Sequence, residues 1–410
     1  MTTNIKQRKI NLHTKVPYFQ LLIVVSISCL ISFLKFSPCR YLTNGKVWTQ
    51  KSCWTDIPNI YTNHFLDLHL WPLKEHFINE LNKSVLPIEY PVLLSLLAWT
   101  LSYLIKVDTQ PLQIIATHYF DLNVIILSLC LYISAIYIYK LFGKRYLLFI
   151  FSPAFIASLF INWDILVILF LILCLFYLNS NRTILPAIFL SIAISFKFYP
   201  IILVVPIYIY FLKINRKKSV LFLISLFATW FVINLPFVIN NFQGWFYFYK
   251  FNFERGISYG SVWEILQIFG IDFKYYNFIY ILSFIFGAIY LSYRQLKTTS
   301  ENLYSILFLY VFIFLFFNKV YSPQYVIWLT FAAIPLIIKR NKLKLWSFFT
   351  WQISELIYHY GLWKYIYFKG YGRQIDGLNP IIYAELSLLR WTLLSLFALN
   401  VLRDLHRESR

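Results

Sequence analysis

Three carboxylates sit where an apolar chain has little use for them. The chain is 60% hydrophobic and only 13% charged, yet Asp56, Glu89 and Asp164 each interrupt it beside aromatic or proline residues. Their settings are Cys53-Trp54-Thr55-Asp56-Ile57-Pro58, Ile88-Glu89-Tyr90-Pro91 and Asn162-Trp163-Asp164. An aspartate at the centre of a membrane helix costs ~2.5–3.5 kcal/mol on insertion scales, and less near the interface. Carboxylates kept there suit general-base work on a hydroxyl. A plainer reading stands beside it: Asp56 would cap a helix opening at Ile57-Pro58, and Asp164 one opening at Ile165. We take Asp56 and Asp164 as candidate catalytic residues and Glu89 as a candidate substrate contact.

The matching cations lie in equally unusual stretches. Lys197 precedes Phe198-Tyr199-Pro200, Arg255 lies in Phe253-Glu254-Arg255-Gly256, and Lys319 opens Lys319-Val320-Tyr321-Ser322-Pro323-Gln324-Tyr325. Such groups could hold a phosphate headgroup, with Gln324 as a neutral partner, although Lys197 could simply snorkel to the interface. His359 and Arg373 are weaker candidates in the last outer loop. No CxxC pair and no His/Cys cluster with zinc spacing occurs, so neither a metal nor another cofactor is expected. Cys39 and Cys53 could pair if their side of the membrane is oxidising.

These residues need elements to place them. Apolar runs recur along all 410 residues, many close to the ~20 that cross a bilayer. The chain is therefore read as an all-α polytopic membrane protein, one domain spanning 1–410, with about twelve transmembrane helices. The first expected span runs from Tyr18 to about Leu34. The next are Asp121–Tyr139, Tyr146–Ile161, Ile165–Leu178, Thr183–Phe198, Ile201–Leu212 and Ser219–Val238. Tyr275–Tyr293, Leu303–Phe317, Tyr325–Ile338, Leu345–Tyr360 and Ile381–Leu402 complete the set. A long outer segment, 36–119, is expected to carry juxtamembrane helices, including an amphipathic stretch from His64 to Asn82. Residues 239–274 form a second outer, substrate-facing loop.

The formal charge of +20 does not signal nucleic acid, because the basic residues cluster in short junctions between apolar runs. Those clusters set the topology. If Val92–Ile105 does not cross, the junctions Lys140/Lys144/Arg145, Arg182, Lys213/Arg216/Lys217/Lys218, Arg294/Lys297 and Lys339/Arg340/Lys342/Lys344 all face the cytoplasm. Both termini are then cytoplasmic, and every candidate site residue falls on the outer face. Val92–Ile105 becomes a helix lying on or dipping into the outer leaflet.

Six motifs in order carry a family resemblance. They are Cys-x-x-Asp-Ile-Pro, Ile-Glu-Tyr-Pro-Val, Ser-Pro followed by Asn-Trp-Asp, Phe-Lys-Phe-Tyr-Pro, Arg-Gly-x-x-x-Gly-Ser-Val-Trp, and Asn-Lys-Val-Tyr-Ser-Pro-Gln-Tyr. Spread from Cys53 to the Lys319–Tyr325 turn, this order resembles the actinobacterial branch of glycosyltransferase family 87. These are GT-C-fold mannosyltransferases that use polyprenyl-phosphate-mannose. The resemblance implies a GT-C-like fold, an outer active site and Asp56 as general base, with Asp164 in the second acidic position. It also implies a polyprenyl-phosphate-linked sugar donor, a lipid or glycan acceptor, and inversion at the sugar carbon. One departure touches the acceptor: related enzymes carry histidines in the late outer loop, where this chain has Lys319 to Tyr325. The alternative is a transporter or flippase of a lipid-linked sugar, which would place charges at the bilayer midplane within an inverted repeat; neither is visible here.

Overall fold

A computed structural model of the chain describes residues 15–40, 45–73, 77–78, 84–85, 87–107, 110–299, 302–338, 342–371 and 377–407. Arg373 and the basic residues Lys6, Arg8, Lys9, Lys339 and Arg340 lie outside them.

The chain enters through α1 (Tyr18–Phe36), whose outward residues Phe19, Leu22, Ile27, Leu30 and Leu34 are exposed as a lipid-facing helix requires. The first outer segment then holds α2 (Gly45–Lys51) and α3 (Asp56–Asn63). Beyond them lies a two-residue antiparallel pair, β1 (Phe77–Ile78) with β2 (Ser84–Val85). This replaces the expected amphipathic helix over His64–Asn82. Phe65 and His69 adopt left-handed backbone on either side of a short 3-10 turn, Leu66–Leu68, and that reversal ends helical continuity. Cys39 and Cys53 form a disulfide with Cα atoms 5.6 Å apart, closing the loop that carries α2.

Next comes α4 (Val92–Ser102). Its 11 residues rise about 17 Å, well short of a ~30 Å hydrocarbon core. The helix α5 (Leu112–Phe142) starts earlier than the expected Asp121. The expected span Tyr146–Ile161 is instead two pieces, α6 (Tyr146–Ile150) and α7 (Pro153–Ser158). Pro153 supplies no N–H to the preceding turn and breaks the run there.

At the centre lies α8 (Asp164–Asn179), buried on nearly every face and apolar all round apart from its first residue. It packs against α5 and against α9 (Ile184–Phe196). Pro200 then forces a 3-10 turn, Tyr199–Leu203, before α10 (Val204–Ile214). After α11 (Arg216–Asn240), the second outer loop is mostly helical: α12 (Phe242–Glu254) and α13 (Val262–Ile268).

The lipid-facing α14 (Tyr276–Lys297) buries only Leu291 and Gln295. It is followed by α15 (Leu303–Phe317), which has the expected bounds, and α16 (Val326–Ala333), flanked by 3-10 turns. The expected Leu345–Tyr360 span is a longer helix, α17 (Lys342–Tyr371), so much of the late outer loop is helix as well. The chain closes with α18 (Pro380–Arg407), packed along α17.

Among the described residues, five helices are long and apolar enough to cross a membrane, beside several shorter apolar helices. The protein is an all-α, multi-pass membrane protein. Its basic junctions gather at one end. Lys213 bonds the carbonyls of Gln295 and Thr298, Lys344 pairs with Asp404, and Arg294 reaches the carbonyl of Leu405. The acidic motifs gather at the opposite end of the same helices.

Candidate active site

Two tight turns build the heart of the site. Thr55, not Asp56, caps α3: its hydroxyl accepts from Ile57 N and donates to the carbonyl of Phe160. Asp56 N donates to the carbonyl of Ile161 at 2.8 Å. The Asp56 turn is thereby stitched to the turn before α8, and the Asp56 carboxylate is free for other partners. Trp54 Nε1 donates to its Oδ1 at 2.7 Å, and Asn162 Nδ2 donates to its Oδ2 at 2.9 Å. Asn162 Nδ2 also meets the Tyr90 hydroxyl at 2.6 Å.

No cation forms an ion pair with Asp56 among the described residues. Burial pushes its carboxyl above the ordinary range, and the Asp164 charge adds to that. The Trp54 and Asn162 donors and the Lys197 charge pull partly back. Asp56 is thus a shielded carboxylate steadied by neutral donors, the setting in which an acid gains basicity.

Asp164 is differently placed. It is wholly buried and does not cap α8; both oxygens meet Lys197 Nζ, at 2.9 and 2.8 Å. Trp328 Nε1 adds a third bond at 2.6 Å. Lys197 is therefore neutralised in place, with its ammonium 5.7 Å from the Tyr90 ring and 5.9 Å from the Trp328 ring. Trp328 stacks in turn on Tyr199 at 3.6 Å and Tyr325 at 4.0 Å.

The remaining cations behave otherwise. Lys319 is buried, and its ammonium donates to the carbonyl of Phe253 at 2.7 Å. Ser258 N donates to the carbonyl of Lys319, tying the second outer loop to the turn after α15. Burial lowers the Lys319 ammonium, and the nearby Arg255 charge lowers it further. Neither has a carboxylate at ion-pair distance among the described residues. Glu89 lies within electrostatic reach of both Asp56 and Arg255. Burial and Asp56 raise its carboxyl, and Arg255 lowers it. Gln324 is buried in the 3-10 turn before α16.

The sequence-derived candidates therefore fall into three settings. Asp56 and Glu89 lie within electrostatic reach of each other, and Asp164 with Lys197 forms a closed pair. Arg255 lies within reach of Glu89 and of Lys319, and neither cation has an ion-pair partner among the described residues. His359 stands apart, its Nε2 near the carbonyl of Pro323 at 3.1 Å. Trp54, Tyr90, Asn162 and Trp328 were not singled out from sequence, although the first three sit inside the motifs quoted for their neighbours. Trp328 carried no signal in its apolar run.

Two spaces adjoin these groups. A cavity of about 550 Å³ opens beside Trp54, walled by Trp48, Tyr259, Tyr321, Trp363 and Tyr371. An apolar crevice runs down from Trp328 and Tyr199 past Leu171, Leu307 and Val311 to Tyr304. The buried Tyr199 hydroxyl at its upper end has no partner among the described residues. Among the described residues no cluster of His, Cys, Asp and Glu could hold a metal ion.

No protein-family model matches the chain. GPI mannosyltransferase 1 of Kluyveromyces lactis is 24% identical over 221 residues, which is 47% of this chain and 52% of that protein. The chain thus spans about half the length of this curated relative. Among solved structures, ArnT from Cupriavidus metallidurans bound to undecaprenyl phosphate aligns over 94% of this chain and 78% of its own, with a TM-score of 0.44 and 10% identity.

Proposed function

We propose that the protein is an integral-membrane glycosyltransferase of the GT-C type. It moves a sugar, mannose in this reading, from a polyprenyl-phosphate donor to a hydroxyl of a lipid or glycan acceptor on the outer face. One observation carries the reading. A carboxylate held only by neutral donors, Asp56, lies within electrostatic reach of Glu89, Glu89 within reach of Arg255, and Arg255 within reach of Lys319, neither cation having an ion-pair partner among the described residues. Partial likeness to a mannosyltransferase and the motif order resembling family 87 support the same donor class.

The chemistry follows from the parts. A polyprenyl phosphate leaves with its own negative charge, so no acid need protonate it. Arg255 and Lys319 stabilise the charge that grows on the departing phosphate. Glu89 lies within electrostatic reach of Arg255 and adds a negative charge on that side of the site. Asp56 takes the acceptor hydroxyl's proton as the new glycosidic bond forms, from about 2.6–3.2 Å away. A base and a leaving group on opposite faces of the sugar give inversion. Asp164, locked to Lys197 and Trp328, shapes the floor and sets the field at Asp56 rather than moving a proton. The apolar crevice below Trp328 suits the prenyl chain. The basic junctions at the far end support cytoplasmic termini, and a disulfide beside Asp56 suits an oxidising outer side.

The test is transfer from radiolabelled polyprenyl-phosphate-mannose by purified protein in detergent or liposomes. Asp56→Asn should lower turnover by about 10²–10⁴-fold, the usual worth of general-base catalysis. Wild-type protein that only moves the intact lipid-linked sugar across vesicles, without cleaving it, would establish the flippase alternative instead.

A further inference from the structure

The Trp54 indole has one edge on the carboxylate and its rings on the cavity. Nε1 donates to Asp56 Oδ1 at 2.7 Å. The rings meet Trp48 edge-on at 4.5 Å and stack toward Trp363 at 6.2 Å with a 28° tilt. The same three tryptophans wall the cavity of about 550 Å³, together with Tyr259 and Tyr371. Thr49, Ser258 and Ser322 are the hydroxyl-bearing residues besides the tyrosines in that lining. The volume falls in the range of small-molecule sites. The lining is amphipathic in a particular way: broad apolar faces for ring carbons, with hydroxyls at the margins. A pyranose matches that pattern, because its carbon-bound hydrogens make a flat apolar face ringed by hydroxyls.

We propose that this cavity is the subsite for a sugar ring of the acceptor, and that Trp54 is a positioning residue coupling that subsite to Asp56. The proposal rests on the transferase reading and adds to it the class of acceptor and a role for Trp54. A ring packed on the Trp54 face fixes the indole, and the indole fixes which carboxylate oxygen points at the acceptor hydroxyl. The other charged and titratable groups that bear on Asp56 are Asp164, Lys197, Glu89, Tyr90 and Tyr325. None of them lines the cavity, so a change at Trp54 alters Asp56 without changing a formal charge nearby.

The experiment pairs two variants with octyl α-D-mannoside as acceptor probe and polyprenyl-phosphate-mannose as donor. Trp54→Phe keeps the ring and removes the N–H. The acid limb of kcat/KM should move up by about one pH unit, giving about tenfold less activity below the limb, since a donor to the ionised form has gone. Trp363→Ala opens the cavity wall. It should raise the probe's KM at least fivefold and leave the acid limb where it was. If Trp54→Phe fails to fold, Trp54→Tyr is held to the same outcome. An unmoved limb with Trp54→Phe, or equal losses from both variants in both parameters, would overturn the coupling. If octanol competes with the probe as well as methyl α-D-mannoside does, the cavity takes an alkyl chain and the subsite assignment fails. Should wild-type protein show no transfer, the transferase reading fails by itself. Ligand-observed NMR binding of octyl α-D-mannoside, weakened in Trp363→Ala, then still decides the subsite.

Discussion

Two carboxylates in this molecule, the half-buried Asp56 and the fully buried Glu355, live in opposite company. Glu355 lies within α17, wholly buried, and faces Arg390 of α18 at 3.5 Å. Tyr321 and Trp351 donate to its two oxygens. The Arg390 guanidinium is sandwiched between the rings of Tyr321 and Tyr358, each 4.0 Å away, and donates to the carbonyl of Gly260. Gly260 has to be glycine: its φ is +76°, and a Cβ there would fall 2.0 Å from the Tyr358 hydroxyl. Its N–H is taken by Glu264 and Tyr383 at 2.8 Å each.

Every charge in that cluster is answered by another group of the same cluster, and the result clamps the second outer loop onto α17 and α18. Asp56 has neutral donors and no ion-pair partner among the described residues, and Arg255 and Lys319 likewise lack a carboxylate at ion-pair distance there. The comparison teaches that burial alone does not mark a catalytic carboxylate. What marks Asp56 is a half-buried setting with neutral donors alone and no ion-pair partner among the described residues.

That contrast can be broken or sharpened in several ways. The largest effect on folding should come from the closed cluster. Arg390→Ala strands the Glu355 charge and should cost about 3–5 kcal/mol, as removal of one member of a buried pair does. Chemical or thermal unfolding would show it as a large fall in midpoint, with activity lost only as the protein unfolds. Lys319→Ala should act on the substrate instead. We expect about a tenfold rise in the donor KM, steeper at low salt, and little change in unfolding midpoint. A midpoint drop matching Arg390→Ala would class Lys319 with the structural cations.

A smaller effect concerns pH. Burial raises the Asp56 carboxyl, and only the ionised form is a base, so kcat/KM should fall as pH drops through a midpoint above the ordinary carboxylate value of about 4. The sign for stability is opposite to that of a salt-bridged aspartate. A raised pKa means the folded state holds its proton more tightly, so Asp56 detracts from stability as pH rises past its unfolded value.

Much of this was legible in the sequence, for physical reasons that can be named. Apolar runs between basic junctions gave the helical, multi-pass architecture, because a bilayer accepts little else. The shortness of Val92–Ile105 and the charge pattern together kept it from being read as a span, and α4 is short indeed. The polar breaks around Asp56, Asn162 and Lys319 announced themselves as costly interruptions. What did not announce itself was pairing. Asp164 and Lys197 read as two reactive groups and fold into one neutral pair, since spacing along the chain says nothing of who meets whom across it. Arg390, deep inside an apolar helix, was hidden among residues that looked like lipid-facing filler. The helical reach of α17 into the late outer loop was also missed, because Tyr- and Lys-rich stretches lack the hydropathy of a span yet continue a helix readily.

The most direct test measures sugar transfer and thermal unfolding on the same preparations of Asp56→Asn and Glu355→Gln. The account predicts that Asp56→Asn loses at least 100-fold in turnover while its unfolding midpoint stays within a few degrees of wild type, and that Glu355→Gln does the reverse. Full transfer by a folded Asp56→Asn protein, or an Asp56→Asn protein that unfolds like the Glu355 variant, would contradict it.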